Sequence, residues 1–174
     1  MGKAHSNAWK KVPLFFDVPA HPVLKVACGR NESQLKAFAH KWGWEQTETD
    51  WKKVINRSDI DIIDIALPQH MHHEIAMAAA AAGKHIFCEK PMAMSVKQAE
   101  EMLQVCTDNN VTHYLNHNYR RVPAIALAKQ MISEGALGRI FHWRAAYQKD
   151  WIVDPAFPLS WQLQKETAQA GPQW

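Results

Sequence analysis

Short apolar runs alternate with amphipathic helical patterns between residues 23 and 117, and this alternation limits the folds open to the chain. Neighbouring parallel strands need a crossover connection, which is usually a helix. The repeated order of strand and helix therefore predicts an α/β fold built on a parallel sheet. Strands are expected at 23–28, 45–47, 60–67, 85–88 and 112–116.

Helix boundary signals agree with this order. Gly43 and Gly83 are placed to end helices, because glycine readily adopts the left-handed conformation at a helix C-terminus. Asp50 and Ser95 are good N-cap residues for the helices that follow them. The predicted helices lie at 4–12, 32–42, 50–55, 72–82, 95–106 and 123–133.

Composition excludes several classes of protein. With 174 residues, 47% of them hydrophobic, the chain is expected to fold as one domain plus part of a second. The net charge of +3 is small and basic residues form no run, so we expect no nucleic-acid partner. No apolar stretch reaches 18 residues, so no membrane partner is expected either. Cys28, Cys88 and Cys106 show no paired spacing, which indicates reduced thiols and a cytoplasmic protein.

Polar residues follow the predicted strands at their carboxyl ends. In open parallel sheets this edge binds ligands, at the point where the strand order reverses. We therefore expect a doubly wound, Rossmann-like sheet with its site at this edge. The motifs found there are Leu67-Pro68-Gln69 followed by His72 and Glu74, Glu89-Lys90-Pro91, and Asn118-Tyr119-Arg120.

Together with Gly135-Ala136-Leu137-Gly138-Arg139-Ile140, these motifs resemble the Gfo/Idh/MocA family, the glucose-fructose oxidoreductase and inositol dehydrogenase family. Leu67 and Gln69 depart from the family pattern. The resemblance extends to about Glu166 and implies an NAD(P)-dependent oxidoreductase. It would transfer a hydride between nicotinamide and a sugar, polyol or cyclic alcohol, and the complete form would be a homo-oligomer.

The resemblance also implies roles for individual residues. Lys90 is expected to be catalytic and to contact both nicotinamide and substrate, with Glu89 in support. The predicted cofactor-binding residues are Gly2, Arg30, Pro68, Gln69, His72, Glu89, Lys90 and Asn118.

A lysine at position 90 suits this chemistry. Oxidation of an alcohol needs a proton acceptor, and a positive charge stabilises the developing alkoxide. A nearby nicotinamide cation and a partly desolvated pocket would favour the neutral amine. Glu89 is expected to orient Lys90 through a charge-assisted hydrogen bond. Alone, the three residues Glu89-Lys90-Pro91 would equally fit an ordinary solvated turn.

The amino terminus carries only the end of a dinucleotide-binding fingerprint. Gly2 is in the position of its last glycine and opens a helix that would face a pyrophosphate. The first strand is expected to be missing from the sheet. Since that strand is central, we predict weak cofactor binding by this chain alone, and poor solubility or compensating self-association.

Arg30 follows the strand at 23–28 and bears on cofactor choice. An acidic residue there favours NAD, whereas arginine accommodates the 2′-phosphate of NADP. NADP is therefore slightly favoured, while the nearby Glu32 leaves NAD open. Arg30 could also be an ordinary surface charge or stack on adenine.

His70-Met71-His72-His73 invites a metal-site interpretation, since imidazoles are common zinc ligands. Only Glu74 joins them at a usable spacing, so no metal is expected. His72 is instead expected to hydrogen-bond beside the nicotinamide.

We predict a dinucleotide-binding domain at 1–120 and the start of an α+β substrate domain at 121–174, with strand-like alternation at 140–147. Trp151-Ile152-Val153-Asp154-Pro155 resembles a segment that leads into the substrate domain in one branch of the family. The family's later Asp and His are expected just past Ala168, where the chain reads Gln169-Ala170-Gly171 instead. The alternative is therefore a catalytically inactive fragment, or a nucleotide-binding or interaction module.

Overall fold

The computed structural model describes residues 1–148, 150, 153–158, 160 and 163–164. None of the helices in these ranges is long and apolar enough to cross a membrane. The strands are β1 (Val26–Cys28), β2 (Gln46–Glu48), β3 (Ile62–Ile65), β4 (His85–Glu89) and β5 (His113–Asn116). The helices are α1 (Gly2–Phe15), α2 (Glu32–Trp42), α3 (Trp51–Ile55), α4 (His72–Ala81), α5 (Val96–Asp108) and α6 (Pro123–Ser133).

All strand pairs are parallel, and the sheet is in two pieces. Strand β1 pairs with β2, and a three-stranded piece has the order β3-β4-β5. Among the described residues, no ladder joins β1 to β3. The α/β prediction is confirmed, and the break agrees with the expectation of a sheet without its first strand.

The predicted cap residues are confirmed by local geometry, although α1 is longer than the expected 4–12 and α5 extends past 106 to Asp108. Gly43 and Gly83 have φ angles of 75° and 72°, in the left-handed region that glycine adopts without steric cost. The Asp50 carboxylate accepts a hydrogen bond from the Lys52 amide, and the Ser95 hydroxyl accepts one from the Gln98 amide.

Helix α4 packs against the three-stranded piece through small side chains. Ala76, Ala79 and Ala80 are at most 1% exposed and let the helix approach the sheet closely. They share a core with Ile65, Ile86 and other residues of β3, β4 and α5. This core supports the end of β4, where Glu89 lies.

A cavity of about 780 Å³ separates β1 from β3 and is lined mainly by apolar side chains. Helix α1 lines the same cavity and contacts both sheet pieces. Its Ser6 hydroxyl accepts a hydrogen bond from the Trp44 indole on the β1-β2 side. On the other side, His5 reaches residues of β3 and β4.

Beyond β5 the chain packs loosely. Helix α6 has the predicted bounds, but none of its residues is buried. Residues 139–148 form no strand, contrary to the alternation at 140–147, because no described strand pairs with them through ladder hydrogen bonds. Trp151, Ala168 and the segment after it lie outside the described residues.

Candidate active site

The Glu89-Lys90-Pro91 motif lies at the carboxyl end of β4. Glu89 is the last residue of the strand and is 4% exposed, whereas Lys90 begins the following turn and is exposed. Strand β4 lies between β3 and β5 in the three-stranded piece. Asn116 is directly opposite it on β5.

A buried polar cluster surrounds Glu89. His5 Nε2 lies 2.9 Å from Glu89 Oε1, and His5 Nδ1 lies 2.8 Å from Asp64 Oδ1 on β3. The Asn116 amide donates to Glu89 Oε1 at 2.6 Å. The Trp9 indole donates to Asp64 Oδ2 at 2.7 Å. Helix α1 is thus joined to the three-stranded piece by charged hydrogen bonds.

The electrostatics of this cluster follow from its composition. Burial alone would lower the pKa of His5, but hydrogen bonds to Asp64 and Glu89, and their charges, raise it to about 9. Burial opposes ionisation of Glu89, yet bonds from His5 and Asn116 bring its pKa below the usual value. At neutral pH, His5 is therefore an imidazolium between two carboxylates.

Glu89 holds Lys90 by the backbone. The Lys90 amide donates to Glu89 Oε2 at 3.0 Å, so the contact expected with the Lys90 ammonium is made instead by its main chain. The Glu89 oxygens are directed inward by His5 and Asn116. Within the described part of the chain, the Lys90 ammonium has no ion-pair partner and is open to a ligand.

His72 and Gln69 fix the loops on either side of Lys90. His72 is 1% exposed, and its ring nitrogens each lie 2.9 Å from a carbonyl oxygen, that of Pro91 or that of Leu67. The Gln69 amide donates to the Ala93 carbonyl. Both side chains, predicted to bind cofactor, are buried against the backbone, so they act on loop shape.

The other predicted cofactor residues are more dispersed. Gly2 opens α1, and a Cβ there would lie 3.6 Å from Phe38 Cζ, an ordinary contact. Arg30 is exposed between β1 and α2, and Pro68 precedes the 3-10 turn Gln69–Met71. Asn118 is exposed in the turn after β5. No described side-chain bond joins Arg30 or Asn118 to the Lys90 loop.

The histidine run does not gather a metal site. His73 pairs with Glu101 at 2.8 Å, His72 is held between carbonyls, and His70 is exposed. Throughout the described ranges, no three His, Cys, Asp or Glu side chains are placed to share a metal ion.

Sequence reasoning missed the partners of Glu89. His5 and Trp9 are four positions apart and so share a face of α1, while Asp64 interrupts the apolar run Ile62-Ile63-Asp64-Ile65. An acid within a buried strand requires a partner, and that signal was present. Which residue supplies the partner depends on the tertiary fold.

The donors at this edge suit an anionic dinucleotide. Lys90 and Arg30 each follow a parallel strand at its carboxyl end, and neither is engaged in an ion pair among the described residues. The N-terminus of α1, whose first amides lack helical partners, lies at the cavity between β1 and β3. These groups fit a nicotinamide dinucleotide.

Known proteins are similar to this chain in sequence and in fold. Levoglucosan dehydrogenase of Pseudarthrobacter phenanthrenivorans is 48% identical over 172 residues, which cover 98% of this chain and 44% of that protein. A 1,5-anhydro-D-fructose reductase of Ensifer adhaerens is 30% identical, covering 78% of this chain and 40% of that protein. The structure of levoglucosan dehydrogenase in complex with NADH and levoglucosan matches with a TM-score of 0.94 at 48% identity, over 98% of this chain and 47% of that one.

The chain therefore spans less than half the length of these relatives. A family model described as an oxidoreductase family with an NAD-binding Rossmann fold matches residues 1–117. That match covers more than half of the chain and includes the strand, helix and loop that position Lys90. The chain belongs to the Gfo/Idh/MocA family of oxidoreductases.

Proposed function

We propose that the chain binds a nicotinamide dinucleotide at the carboxyl edge of its strands and that Lys90 transfers the proton in a reversible hydride-transfer reaction. The observation that carries this proposal is the combination of a free Lys90 side chain and a fixed Lys90 backbone. Its ammonium is exposed and free of ion pairs among the described residues, while its loop is fixed by Glu89 and His72. A functional group on a loop with a fixed conformation is preorganised to contact a ligand.

The nicotinamide would accept or return the hydride. The neutral Lys90 amine would take the hydroxyl proton of the alcohol, and its charged form would stabilise an alkoxide. Glu89 keeps the Lys90 backbone in place, and His72 keeps the neighbouring loops in place. Glu89 is thus a supporting residue in this scheme.

The proposed substrate is a sugar, polyol or related cyclic alcohol. Support comes from the relatives, whose names include levoglucosan and 1,5-anhydro-D-fructose. Levoglucosan is the first compound to test, because the relative that acts on it shares 48% of its residues over nearly the whole of this chain.

The finer prediction on the cofactor is a slight preference for NADP. Arg30 is exposed and unpaired among the described residues, so its guanidinium could meet a 2′-phosphate. The NADH-bound relative supports NAD instead. Glu32 is engaged by Lys36 at 2.6 Å, which leaves it less available to a ribose hydroxyl.

The predicted organisation remains part of the proposal. Residues 1–120 would form the dinucleotide-binding domain and residues 121–174 the beginning of a substrate domain. The loose packing of α6 agrees with a boundary near 120. Association into homo-oligomers in the complete form and a cytoplasmic location are likewise predictions.

A second candidate is a nucleotide-binding or interaction module without activity of its own. The cavity between β1 and β3 favours it, because strands at an unfilled gap can pair with another segment. This candidate retains binding but not hydride transfer.

Titration with NADH and NADPH, followed by nicotinamide fluorescence, tests the binding. Arg30→Ala should weaken NADPH binding more than NADH binding. Lys90→Ala should abolish levoglucosan-dependent reduction of NAD or NADP, whereas Lys97→Ala, at a side chain 86% exposed on α5, should not. Binding without turnover would favour the second candidate. Absence of both would contradict the proposal for this chain.

A further inference from the structure

The cluster of His5, Asp64 and Glu89 has a charge arrangement that the function described so far does not use. The three side chains are 7%, 15% and 5% exposed, so water contributes little to their solvation. Both carboxylates accept hydrogen bonds, and a neutral imidazole has only one N–H. The two contacts, at 2.8 and 2.9 Å, are both satisfied only by the imidazolium.

We propose that His5 is a positioning residue for Lys90: its imidazolium holds the Glu89 carboxylate, whose other oxygen holds the Lys90 backbone amide. The inference deepens the proposed function and rests on it for the role of Lys90. The link itself runs from Asp64 on β3, through His5 on α1, to Glu89 and then Lys90.

The cation has a specific task in this link. Glu89 is buried, and without a positive charge at His5 both its carboxylate and that of Asp64 would lie in a low-dielectric site without a counter-charge. Glu89 would then take up a proton or turn toward solvent. Either change removes or redirects the acceptor of the Lys90 amide.

The remaining neighbours of His5 do not replace it. Trp9 donates to Asp64, and Asn116 donates to Glu89, each as a neutral group. Phe87 contacts the His5 ring by its edge, with centroids 5.6 Å apart. The charged groups facing His5 from the elements packed on it are Asp64 and Glu89, and the adjacent Cys88 thiol stays protonated because burial raises its pKa to about 12.

This arrangement predicts that the position of the Lys90 loop follows the charge of His5. Deprotonation should occur near pH 9, well above the usual range of histidine, and should weaken the hold on Glu89. Because the Lys90 amide donates a hydrogen bond to the Glu89 carboxylate, its nitrogen should report the deprotonation of His5 directly.

The test is a pH titration of the isotopically labelled chain by nuclear magnetic resonance. The His5 ring carbons give its charge, and carbon-detected carbonyl–nitrogen spectra give the Lys90 nitrogen without loss of signal at high pH. We expect both to change with one midpoint near pH 9. In Asp64→Asn, which retains His5 and Glu89, both midpoints should fall together.

The matched control is His73→Gln, which removes a histidine paired with Glu101 at 2.8 Å outside the cluster and should leave the Lys90 titration unchanged. His5→Gln should abolish the Lys90 midpoint, and circular dichroism checks that this variant is folded. The inference would be overturned if the chemical shift of the Lys90 nitrogen did not change with the charge of His5, or if His5 titrated at the usual pH of histidine.

These signals can be measured without cofactor or turnover. The positioning role of His5 and the proposed function of Lys90 can therefore be refuted independently. If the shared titration is present but Lys90→Ala retains hydride transfer, the proposed role of Lys90 is wrong and the link stands. Where the chain does turn over, His5→Gln should lower kcat by about 10- to 100-fold with a smaller effect on KM.

Discussion

The Nδ1 atom of His72 lies 2.9 Å from the carbonyl oxygen of Pro91, which joins the first turn of α4 to the loop that follows Lys90. The opposite nitrogen of the same ring lies 2.9 Å from the Leu67 carbonyl. One buried side chain therefore connects two loops that are distant in sequence, and the shape of the edge depends on it.

His72→Ala should lower the free energy of unfolding by about 2–4 kcal/mol, because it leaves a cavity and removes a buried ring N–H that donates to a loop carbonyl. Urea denaturation measures the loss. His73→Ala is the neighbouring control. It removes the contact between His73 and Glu101, whose side chains are 26% and 40% exposed. The free energy of unfolding should therefore fall by less than about 1 kcal/mol. Equal losses in the two variants would contradict the prediction that His72 stabilises the fold by connecting the two loops.

Stability should fall as the pH rises from neutral to alkaline. The pKa of His5 is raised from 6.5 to about 9 by Asp64 and Glu89 against the effect of burial, so the folded state binds its proton more tightly. The resulting stabilisation, on the order of 3 kcal/mol, is fully present below pH 6.5 and is lost as the pH rises through about 9.

Urea denaturation at pH 6 and pH 10 checks this dependence, with His5→Gln for comparison. Cys88 contributes in the same direction above pH 9, because burial raises the pKa of its thiol to about 12. The difference between the wild type and His5→Gln isolates the histidine. Parallel pH profiles for the two proteins would refute the prediction.

The three cysteines should differ in their rates of alkylation. Cys28 is exposed, while Cys88 and Cys106 are buried in the main core. Desolvation and the charges of Glu48 and Asp50 raise the pKa of Cys28 to about 11, so its reaction should be slow. Mass spectrometry of iodoacetamide-treated protein should find Cys28 modified first, and the other two only after unfolding. Early modification of Cys88 would contradict the described packing.

Gly83→Ala should destabilise the fold by about 1 kcal/mol through backbone conformation alone. Its φ is 72°, and no atom lies within 4 Å of where a Cβ would be, so steric contact does not contribute. Gly2→Ala is the control for a glycine with an ordinary φ, where the added Cβ meets Phe38 at 3.6 Å. It should leave thermal stability nearly unchanged. A Gly83→Ala variant as stable as the wild type would show that the φ of Gly83 carries no cost.

Periodicity and capping residues predicted the elements well because those signals are local. The helices Glu32–Trp42 and Pro123–Ser133 have the expected bounds. Three of the five strands were predicted too long. One of them, β3, occupies Ile62–Ile65 of the expected 60–67, since a strand extends only as far as its neighbour pairs with it.

The candidate site was predicted in part. Resemblance to a family pointed to Glu89, Lys90 and His72, but not to what holds them. His5 is 84 positions from Glu89, and their contact depends on how α1 crosses the sheet. Local pattern carries no information about such a crossing. For the same reason, the expected bond between the Glu89 carboxylate and the Lys90 ammonium was replaced by one to the Lys90 backbone.

The break between β1 and β3 bears on how the molecule can move. In the described ranges, no backbone hydrogen bond crosses it, and the two sheet pieces meet through side chains such as Val26 with Ile60 and through α1. Separation of the pieces therefore breaks side-chain contacts while every strand keeps its pairing. The two sheet pieces can therefore open away from each other as separate units that α1 connects. We expect this local opening to be far faster than the unfolding of either piece.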